Sequence, residues 1–229
     1  MSRGEYRVKE IFYTLQGEGA QAGRPSVFCR FSKCNLWNGK EEGRAAAICN
    51  FCDTDFVGTD GSNGGKYSKE ALVSMIRSQW PDLSQGKPYV VCTGGEPLLQ
   101  LDEALISALH DAGFEVGVET NGTLPTPQGI DWLCVSPKGS SEIVIEACDE
   151  LKLVYPQADA MPERFSEMKA EHYYLQPMAD FAPLILASDK LQGAKDGLSV
   201  NNTRATVDYC MRNPKWKLSL QTHKLLGIE

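Results

Sequence analysis

The stretch that decides the fold runs from Cys34-Asn35-Leu36-Trp37 to Ile48-Cys49-Asn50-Phe51-Cys52-Asp53-Thr54. It holds three cysteines, one ligand fewer than a closed tetrahedral zinc site requires. Three thiolates can instead hold a four-iron cluster and leave one iron open to an outside ligand. Residues 35–48, between the first two cysteines, are polar and then Ala-rich, which is typical of a loop or helical turn solvated on one side.

The composition is that of an ordinary globular protein, with 229 residues, 42% hydrophobic and 23% charged. This length fits a single domain over residues 1–229. The net charge of −7, without Lys/Arg runs among aromatics, argues against a nucleic-acid partner. No apolar run approaches the ~18 residues of a membrane span, and residues 1–5 lead into no signal-peptide core. We therefore expect no membrane partner and a cytoplasmic location.

The five remaining cysteines lie outside this stretch. Cys29, Cys92 and Cys134 are in apolar, strand-like runs, where a buried cysteine is a small hydrophobic residue, and we interpret Cys148 and Cys210 in the same way. In a reducing compartment we expect no disulfide framework.

Strand and helix patterns alternate along the chain. Residues 7–13 and 26–31 predict an opening hairpin, and further apolar runs predict core strands at 88–93, 114–119, 131–135, 150–154, 171–175 and 216–220. Helices are predicted at 68–80, 101–112, 162–169 and 202–213, with Ser68 as an N-cap and Gly113 as a C-cap, and the glycines of 58–66 indicate a mobile loop. This order predicts an α/β fold: an open, partial parallel β/α barrel of about six core strands with few helices.

Polar motifs follow the predicted strands where each one ends. They are Thr93-Gly94-Gly95-Glu96, Glu119-Thr120-Asn121, Ser136-Pro137-Lys138, Gln176-Pro177 and Gln221-Thr222-His223. In parallel architectures the functional site lies at the carboxyl ends of the strands. The repeated placement therefore predicts one site at this edge, close to the three cysteines.

Cys34, Cys49-x-x-Cys52 with Phe51, and Gly94-Gly95-Glu96-Pro97 together resemble the radical S-adenosylmethionine superfamily. Within it, four further segments are similar to the 7-carboxy-7-deazaguanine synthase family: Thr14-Leu15-Gln16-Gly17-Glu18-Gly19, Cys52-Asp53-Thr54, Glu119-Thr120-Asn121-Gly122 and Ser136-Pro137-Lys138. The resemblance covers nearly the whole chain. Fourteen residues separate the first two cysteines, against three in most of the superfamily, so we interpret 35–48 as an insertion within the cluster-binding motif.

The resemblance implies a lyase that contracts 6-carboxy-5,6,7,8-tetrahydropterin to 7-carboxy-7-deazaguanine with loss of ammonia, a step of queuosine and other 7-deazapurine biosynthesis. It implies a 4Fe-4S cluster on Cys34, Cys49 and Cys52. S-adenosylmethionine would act as a true cofactor whose radical removes and later returns a hydrogen atom. It also implies Mg²⁺ on Thr54, a hard oxygen donor, to bind the substrate carboxylate. The implied partners are an electron donor such as flavodoxin and a second copy in a homodimer.

By the same resemblance, substrate-binding positions are Leu15, Gln16, Gly17, Arg30 and Thr93, and cofactor-binding positions are Phe51, Cys52, Asp53, Gly95, Ser136, Pro137, Lys138 and Gln176. The Glu96 carboxylate would support the ammonium of the methionine moiety. Glu119 is either a structural strand-end carboxylate or an acceptor for two parallel hydrogen bonds from the guanidine-like edge of the pterin. Arg30, among apolar neighbours, is either a carboxylate clamp or half of a structural ion pair. His223 could close over the substrate, but we interpret it as an exposed tail histidine, and no catalytic residue is assigned.

Two alternatives stay open. A small activase that makes a glycyl radical on a partner protein would share the cysteine and Gly-Gly-Glu-Pro motifs, although Leu15-Gln16-Gly17, Arg30 and Thr54 suit a small carboxylated substrate. A zinc-binding interaction module would need a histidine to complete a Cys₃His site. His110, His172 and His223 lack finger-like spacing from the cysteines, and such a module leaves the strand-end motifs unexplained.

Overall fold

The computed structural model describes residues 4–178 and 202–228, and the strands of this part form one sheet. The strands are β1 (Tyr6–Leu15), β2 (Pro25–Phe31), β3 (Gly65–Tyr67), β4 (Tyr89–Gly94), β5 (Glu115–Thr120), β6 (Trp132–Val135), β7 (Ala147–Tyr155), β8 (Lys169–Pro177) and β9 (Lys217–Leu218). The α-helices are α1 (Lys69–Gln79), α2 (Glu103–Asp111), α3 (Asn202–Arg212) and α4 (Thr222–Leu226), and short 3-10 helices span Gly19–Gln21, Glu41–Ala46, Pro97–Leu99 and Pro162–Phe165. The prediction of one domain covers residues 1–229 and so includes residues outside the described ranges. It therefore stays a prediction.

The sheet is an open, largely parallel one. Its strand order is β3-β1-β2-β4-β5-β6-β7-β8-β9, so that β3 and β9 form opposite edges. β1 pairs antiparallel with β2 and β3, whereas every later neighbouring pair from β2–β4 to β8–β9 is parallel. Six strands follow the opening hairpin in the parallel part, which confirms the predicted partial β/α barrel. Its parallel strands all end at the same edge, where the polar motifs follow them.

The first half of the sheet is covered by two capped helices. The Ser68 hydroxyl accepts a hydrogen bond from the Ala71 N–H (3.3 Å), which confirms it as the N-cap of α1. Asp102 caps α2 in the same way, and Gly113 follows that helix with a φ of +90°. The buried faces of α1 and α2 pack on strands β1, β2, β4 and β5 in one hydrophobic cluster. Each large aliphatic side chain buried there contributes about 1.5–3 kcal/mol to folding.

In the described part of the chain, the second half of the sheet is covered by less helix. A separate hydrophobic cluster joins β7 and β8 to Phe165 and Trp216, and α3 packs against it through Tyr209. Along β7, Leu151 and Leu153 point into this cluster, so the intervening residue points to the opposite face. The side chains on the cavity-facing side of these strands, together with the loops at the strand ends, line the interior of the partial barrel.

Four local predictions differ from the structure. The last strand covers only Lys217–Leu218 of the predicted 216–220, and the unpredicted helix α4 follows it. The predicted helix at 162–169 is a 3-10 helix, Pro162–Phe165, because Lys169 already starts β8. The glycine-rich 58–66 segment is not all loop, because Gly65–Tyr67 pairs with the edge of β1. Cys148 and Cys210 are only half-buried, unlike the fully buried Cys29, Cys92 and Cys134. Within the described ranges, no helix has the length and apolar character needed to cross a bilayer.

Candidate active site

A cavity of about 410 Å³ opens at the carboxyl ends of the parallel strands. That volume falls within the roughly 300–1,000 Å³ of small-molecule sites in proteins. Most of the predicted site residues line it: Leu15, Gln16, Gly17, Arg30, Cys34, Cys49, Phe51, Cys52, Asp53, Thr54, Thr93, Gly95, Glu119, Ser136, Lys138 and Gln176. Glu96 and Pro137 do not line it. The fold thus gathers positions separated by up to 161 residues in sequence, from Leu15 to Gln176, around one space.

The three motif cysteines share the cavity wall. Cys34 follows β2 and accepts a hydrogen bond from the Leu36 N–H (3.5 Å), while Cys49 and Cys52 lie in the loop beyond the insertion. A hydrogen bond from Cys49 lowers the pKa of Cys52 to about 6, so Cys52 has thiolate character at neutral pH. Soft thiolates are the ligands that iron–sulfur clusters take. The donor set therefore fits a cluster.

The spacing of these thiolates differs from that of a single-ion site. Among residues 4–178 and 202–228, no group of three or more His, Cys, Asp or Glu side chains could hold one metal ion. A cubane cluster has no need of such convergence, because its thiolates bind different iron atoms and stand apart. A Cys₃His zinc site would require four side chains around one ion.

The insertion braces the cysteine loop. Its 3-10 helix, Glu41–Ala46, presents Arg44, whose Nη1 donates to the carbonyl oxygens of Asn50 (3.1 Å) and Cys52 (2.9 Å). The same guanidinium lies over the ring of Trp37, 4.2 Å from its centroid. Trp37 is buried, whereas most of the 3-10 helix is exposed. The prediction of a loop or helical turn solvated on one side is confirmed.

The two glycines after β4 allow the chain to pass against the segment that leads to Cys34. Gly94 has a φ of +139°, and a Cβ there would lie 2.2 Å from the Phe31 carbonyl oxygen. A Cβ on Gly95 would lie 2.0 Å from the Lys33 carbonyl oxygen. The Gly95 N–H also donates to Phe31 O (3.1 Å), which locks the turn in place. The glycines are required by backbone packing beside the cluster motif.

Glu96 lies behind the cavity wall. It is fully buried, and its carboxylate accepts hydrogen bonds from the Leu98 N–H (3.0 Å), the Thr120 hydroxyl (2.7 Å) and the Asn121 N–H (2.8 Å). Burial raises the pKa of this carboxyl, and these three donors oppose the rise. Glu96 therefore ties the end of β4 to the end of β5. The role of Glu96 beside the methionine ammonium stays a prediction. Because Glu96 does not line the cavity, it would act through the Gly94–Gly95 turn.

A buried charge network lies at the other end of the cavity. The Lys152 ammonium, 6% exposed, is 2.7 Å from Glu18 and 3.3 Å from Glu119. Burial alone would lower the pKa of Lys152, but the Glu119 and Glu18 carboxylates raise it well above its ordinary value. Burial likewise would raise the pKa of Glu18, whereas Lys152 and the Gln221 amide bring it down to about 2. Lys152 and Glu18 are therefore both charged at neutral pH.

Arg30 forms the structural ion pair that was one of its two interpretations. Its Nε is 2.7 Å from Glu10 Oε1, and both side chains line the cavity with 20% and 27% exposure. The pair joins neighbouring residues of β1 and β2. Because the pair lies on the wall and not behind it, a role of Arg30 toward a ligand carboxylate stays a prediction.

His223 is not an exposed tail residue, so that prediction was wrong. It is half-buried and lines the cavity, and burial lowers its pKa. A Cβ on Gly17 would lie 2.2 Å from His223 Nδ1, so the glycine makes room for the ring. Thr222 donates to Gly17 O through its N–H and its hydroxyl (both 3.0 Å). These bonds fold the residues after β9 back over the Gln16–Gly17 turn.

Gln176 lines the cavity and has an unused acceptor. Its side chain is 7% exposed, and Nε2 donates to Glu18 Oε1 (3.2 Å). Its Oε1 is buried and has no hydrogen-bond partner among the residues that the structure describes. Buried polar atoms in proteins are nearly always hydrogen-bonded, so an orphan in a cavity wall indicates a ligand that donates to it. This observation fits a bound cofactor with hydrogen-bond donors.

Several residues of the site were missed from the sequence. Glu18 stood inside a motif that had been noted, but only its neighbours were assigned. Lys152, between Leu151 and Leu153, carried the same signal as Arg30, a cation in an apolar strand whose burial requires partners. Gln221 stood in a strand-end motif that had been noted but was given no role, and Lys224 gave no signal. Gln221 Nε2 donates to Glu18 Oε1 (2.9 Å), and α4 places Lys224 Nζ 2.6 Å from Asp53.

Comparisons with known proteins agree with this geometry. Residues 45–152 match the family model of the radical SAM superfamily. The chain is 57% identical to the 7-carboxy-7-deazaguanine synthase of Bradyrhizobium diazoefficiens, with 97% of this chain and 99% of that protein covered. It is 52% identical to the synthase of Burkholderia multivorans over the same shares. The crystal structure of QueE from Escherichia coli superimposes with a TM-score of 0.66 at 25% identity, over 95% of this chain and 94% of that one. The chain belongs to the 7-carboxy-7-deazaguanine synthase family of the radical S-adenosylmethionine superfamily.

Proposed function

We propose that this chain is a radical lyase that converts 6-carboxy-5,6,7,8-tetrahydropterin to 7-carboxy-7-deazaguanine with release of ammonia, within queuosine and other 7-deazapurine biosynthesis. The observation that carries the proposal is identity of 57% over 97% of the chain to a 7-carboxy-7-deazaguanine synthase. The cavity supports it, because the motif residues of this family lie around one space of small-molecule size.

We assign the cluster to Cys34, Cys49 and Cys52, with S-adenosylmethionine beside them. When bound, these groups would supply the radical that takes a hydrogen atom from the substrate and later returns it. The backbone of the Gly94–Gly95 turn would meet the amino-acid end of the cofactor, and Phe51 would lie near its adenine. Asp53, Ser136, Pro137, Lys138 and Gln176 complete this assignment, with Gln176 Oε1 as the acceptor that a cofactor hydroxyl or amine would satisfy.

We assign the pterin to the end of the cavity that holds Leu15, Gln16, Gly17, Thr93 and Glu119. The Glu119 carboxylate would accept two parallel hydrogen bonds from the guanidine-like edge of the ring. It already accepts from the Gln16 amide and the Thr93 hydroxyl (both 3.2 Å), which fixes its plane. Arg30, on the same wall, would face the negative end of the substrate.

We assign Mg²⁺ to the Thr54 hydroxyl. Magnesium prefers hard oxygen ligands and keeps several of its waters, so one protein oxygen together with the substrate carboxylate suffices to place it. Asp53 and Asp55 line the cavity on either side of Thr54 and add negative potential there. The ion would thereby fix the carboxylate during ring contraction.

The remaining features extend the family assignment. We propose a single domain over residues 1–229, a homodimer, a cytoplasmic location and an electron donor such as flavodoxin. The insertion at 35–48 lies within the cluster motif, between its first two cysteines, and its 3-10 helix Glu41–Ala46 is largely exposed.

The test is anaerobic turnover of reconstituted protein with a chemical reductant, S-adenosylmethionine, Mg²⁺ and 6-carboxytetrahydropterin. We expect 7-carboxy-7-deazaguanine, identified by mass and by its ultraviolet spectrum against a synthetic standard. The same reaction without reductant is the control and gives no product. Formation of 5'-deoxyadenosine without a deazaguanine would contradict the proposal and would favour an activase.

A further inference from the structure

Lys152 has no assigned role in this reaction, yet it occupies the centre of the charge network in the cavity. It projects from β7 on the face opposite Leu151 and Leu153, and it lines the cavity wall. Its ammonium donates to Glu18 Oε2 (2.7 Å) and to Glu119 Oε1 (3.3 Å). One buried cation therefore joins two carboxylates that come from different parts of the fold.

The hydrogen bonds around Glu119 define its orientation. Lys152 and the Gln16 amide both donate to Oε1, and the Thr93 hydroxyl donates to Oε2. Glu18 is held similarly, since Lys152 donates to Oε2 while the Gln176 and Gln221 amides donate to Oε1. Lys152 is the cation common to both sets. Loss of its charge would leave two carboxylates of like charge in one partly buried space.

Two such carboxylates repel each other across a partly buried space. Glu119 would then turn away from Glu18, and its oxygens would no longer meet a ligand edge that presents two parallel N–H groups. The Lys152 ammonium removes this conflict by direct contact with both groups.

We propose that Lys152 is a positioning residue for the substrate: it holds Glu119 in the orientation that accepts both N–H groups of a guanidine-like ring edge. This inference rests on the proposed function, and it deepens it by naming the group that makes the pterin end of the cavity selective for such an edge. Lys152 acts through Glu119.

Other titratable groups face this network. Glu150, Cys134 and Lys138 lie near Lys152, while Tyr89 and His223 lie near Glu119. Burial raises the pKa of Glu150, whose carboxylate accepts from the Ala20 N–H (2.9 Å). These groups are the same in the wild type and in each variant below, so a change in affinity at one pH reports the removed charge.

The test is the affinity of the protein for 6-carboxytetrahydropterin, measured by anaerobic equilibrium dialysis with S-adenosylmethionine and without reductant, so that no turnover occurs. All proteins are compared at the same pH. For Lys152→Met we expect roughly 10- to 100-fold weaker binding than for the wild type, the range for loss of a charge-assisted hydrogen bond.

Lys9→Met is the matched control. Among the residues that the structure describes, Lys9 resembles Lys152 in burial and pairing, with 9% exposure and carboxylates of Asp55 and Asp60 both at 2.8 Å. It does not line the cavity. We expect Lys9→Met to lower the melting temperature while the pterin affinity stays that of the wild type.

A double variant separates the lost charge balance from lost packing. In Lys152→Met with Glu18→Gln, one negative charge is removed with the positive one, so Glu119 no longer faces a second carboxylate charge at Glu18. We expect the affinity for the pterin to recover toward that of the wild type. Equal affinity of Lys152→Met and wild type, or an unrecovered loss in the double variant, would overturn the inference. Failure of the wild type itself to bind the pterin would contradict the proposed function instead.

Discussion

At one end of the cavity the three cysteines come from a single segment, residues 34–54, whereas at the other end the polar side chains come from separate strands. The cysteine end is shaped by backbone, through the glycine turn against Lys33 and the Arg44 hydrogen bonds to loop carbonyls. The pterin end is shaped by charge, through Lys152 and its two carboxylates. The cysteine end thus depends on the path of the backbone, and the pterin end depends on the pairing of charged side chains.

Because the two ends use different physics, substitutions should affect them separately. The variants below are chosen to break one end and leave the other intact. The first three are each compared with a residue of the same type in a different environment, and the last with a second substitution at the same position.

The largest effect is expected for Cys52→Ala. With one thiolate removed, the cluster loses one of its three protein ligands, and we expect iron and sulfide contents near background and no turnover. Iron and sulfide assays after anaerobic reconstitution measure this directly. The control is Cys210→Ala, a half-buried cysteine of α3 far from the cavity lining, which should retain the cluster. Normal iron content in Cys52→Ala would refute the ligand assignment.

Glu119→Gln should break the pterin end alone. A neutral amide cannot accept two parallel hydrogen bonds, so we expect pterin affinity to fall roughly 10- to 100-fold while iron content is unchanged. Equilibrium dialysis and an iron assay separate the two effects. Glu115→Gln is the control, since Glu115 lies at the other end of the same strand and pairs with Arg24. A pterin affinity equally reduced in both variants would assign Glu119 a merely structural role.

Gly95→Ala should disturb the cysteine end through packing. Its Cβ would lie 2.0 Å from the Lys33 carbonyl oxygen, so the backbone before Cys34 must move. Overpacking of this kind costs about 1–3 kcal/mol, which thermal unfolding can detect. We expect a lower melting temperature and a lower iron content together. Gly4→Ala, whose Cβ would meet no atom within 4 Å, should change neither. An unchanged melting temperature for Gly95→Ala would show that the turn is not tightly packed.

The smallest effect is expected for Arg44→Ala, because Arg44 is exposed on one side and binds only loop carbonyls and Glu41. We expect the loop to loosen and a chelator to remove iron roughly 2- to 10-fold faster, with pterin affinity unchanged. Arg44→Lys keeps the charge but not the forked donor geometry, and should lie closer to the alanine variant than to the wild type. Equal rates of iron removal from the wild type, Arg44→Ala and Arg44→Lys would show that the insertion does not stabilise the cysteine loop.

The cysteine end could be predicted from the sequence because its signals are local. Three cysteines and the Gly94-Gly95 turn each carry their meaning in a few consecutive residues. The parallel sheet could be predicted for the same reason, since strand patterns repeat along the chain. Glu96 was placed at the correct turn, but its direction depends on donors from Thr120 and Asn121, which only the fold brings near.

The pterin end could be predicted only in part, because its network is assembled from distant positions. Lys152 is 134 residues from Glu18 in sequence and 33 from Glu119. Nothing local tells a reader of the sequence which acid neutralises a given base. His223 was misjudged because its burial depends on the absence of a side chain at Gly17. Charge networks and tail docking require the three-dimensional arrangement.

One measurement tests the two-ended site most directly: ammonia and 7-carboxy-7-deazaguanine quantified together in anaerobic turnovers of wild type, Cys52→Ala and Glu119→Gln. For the wild type we expect the two products in equal amounts. Cys52→Ala should form neither, and Glu119→Gln should form both in equal amounts at a much lower rate when the pterin is scarce. Ammonia without deazaguanine in the wild type, or a Glu119→Gln rate equal to that of the wild type at low pterin concentration, would contradict this division of the cavity.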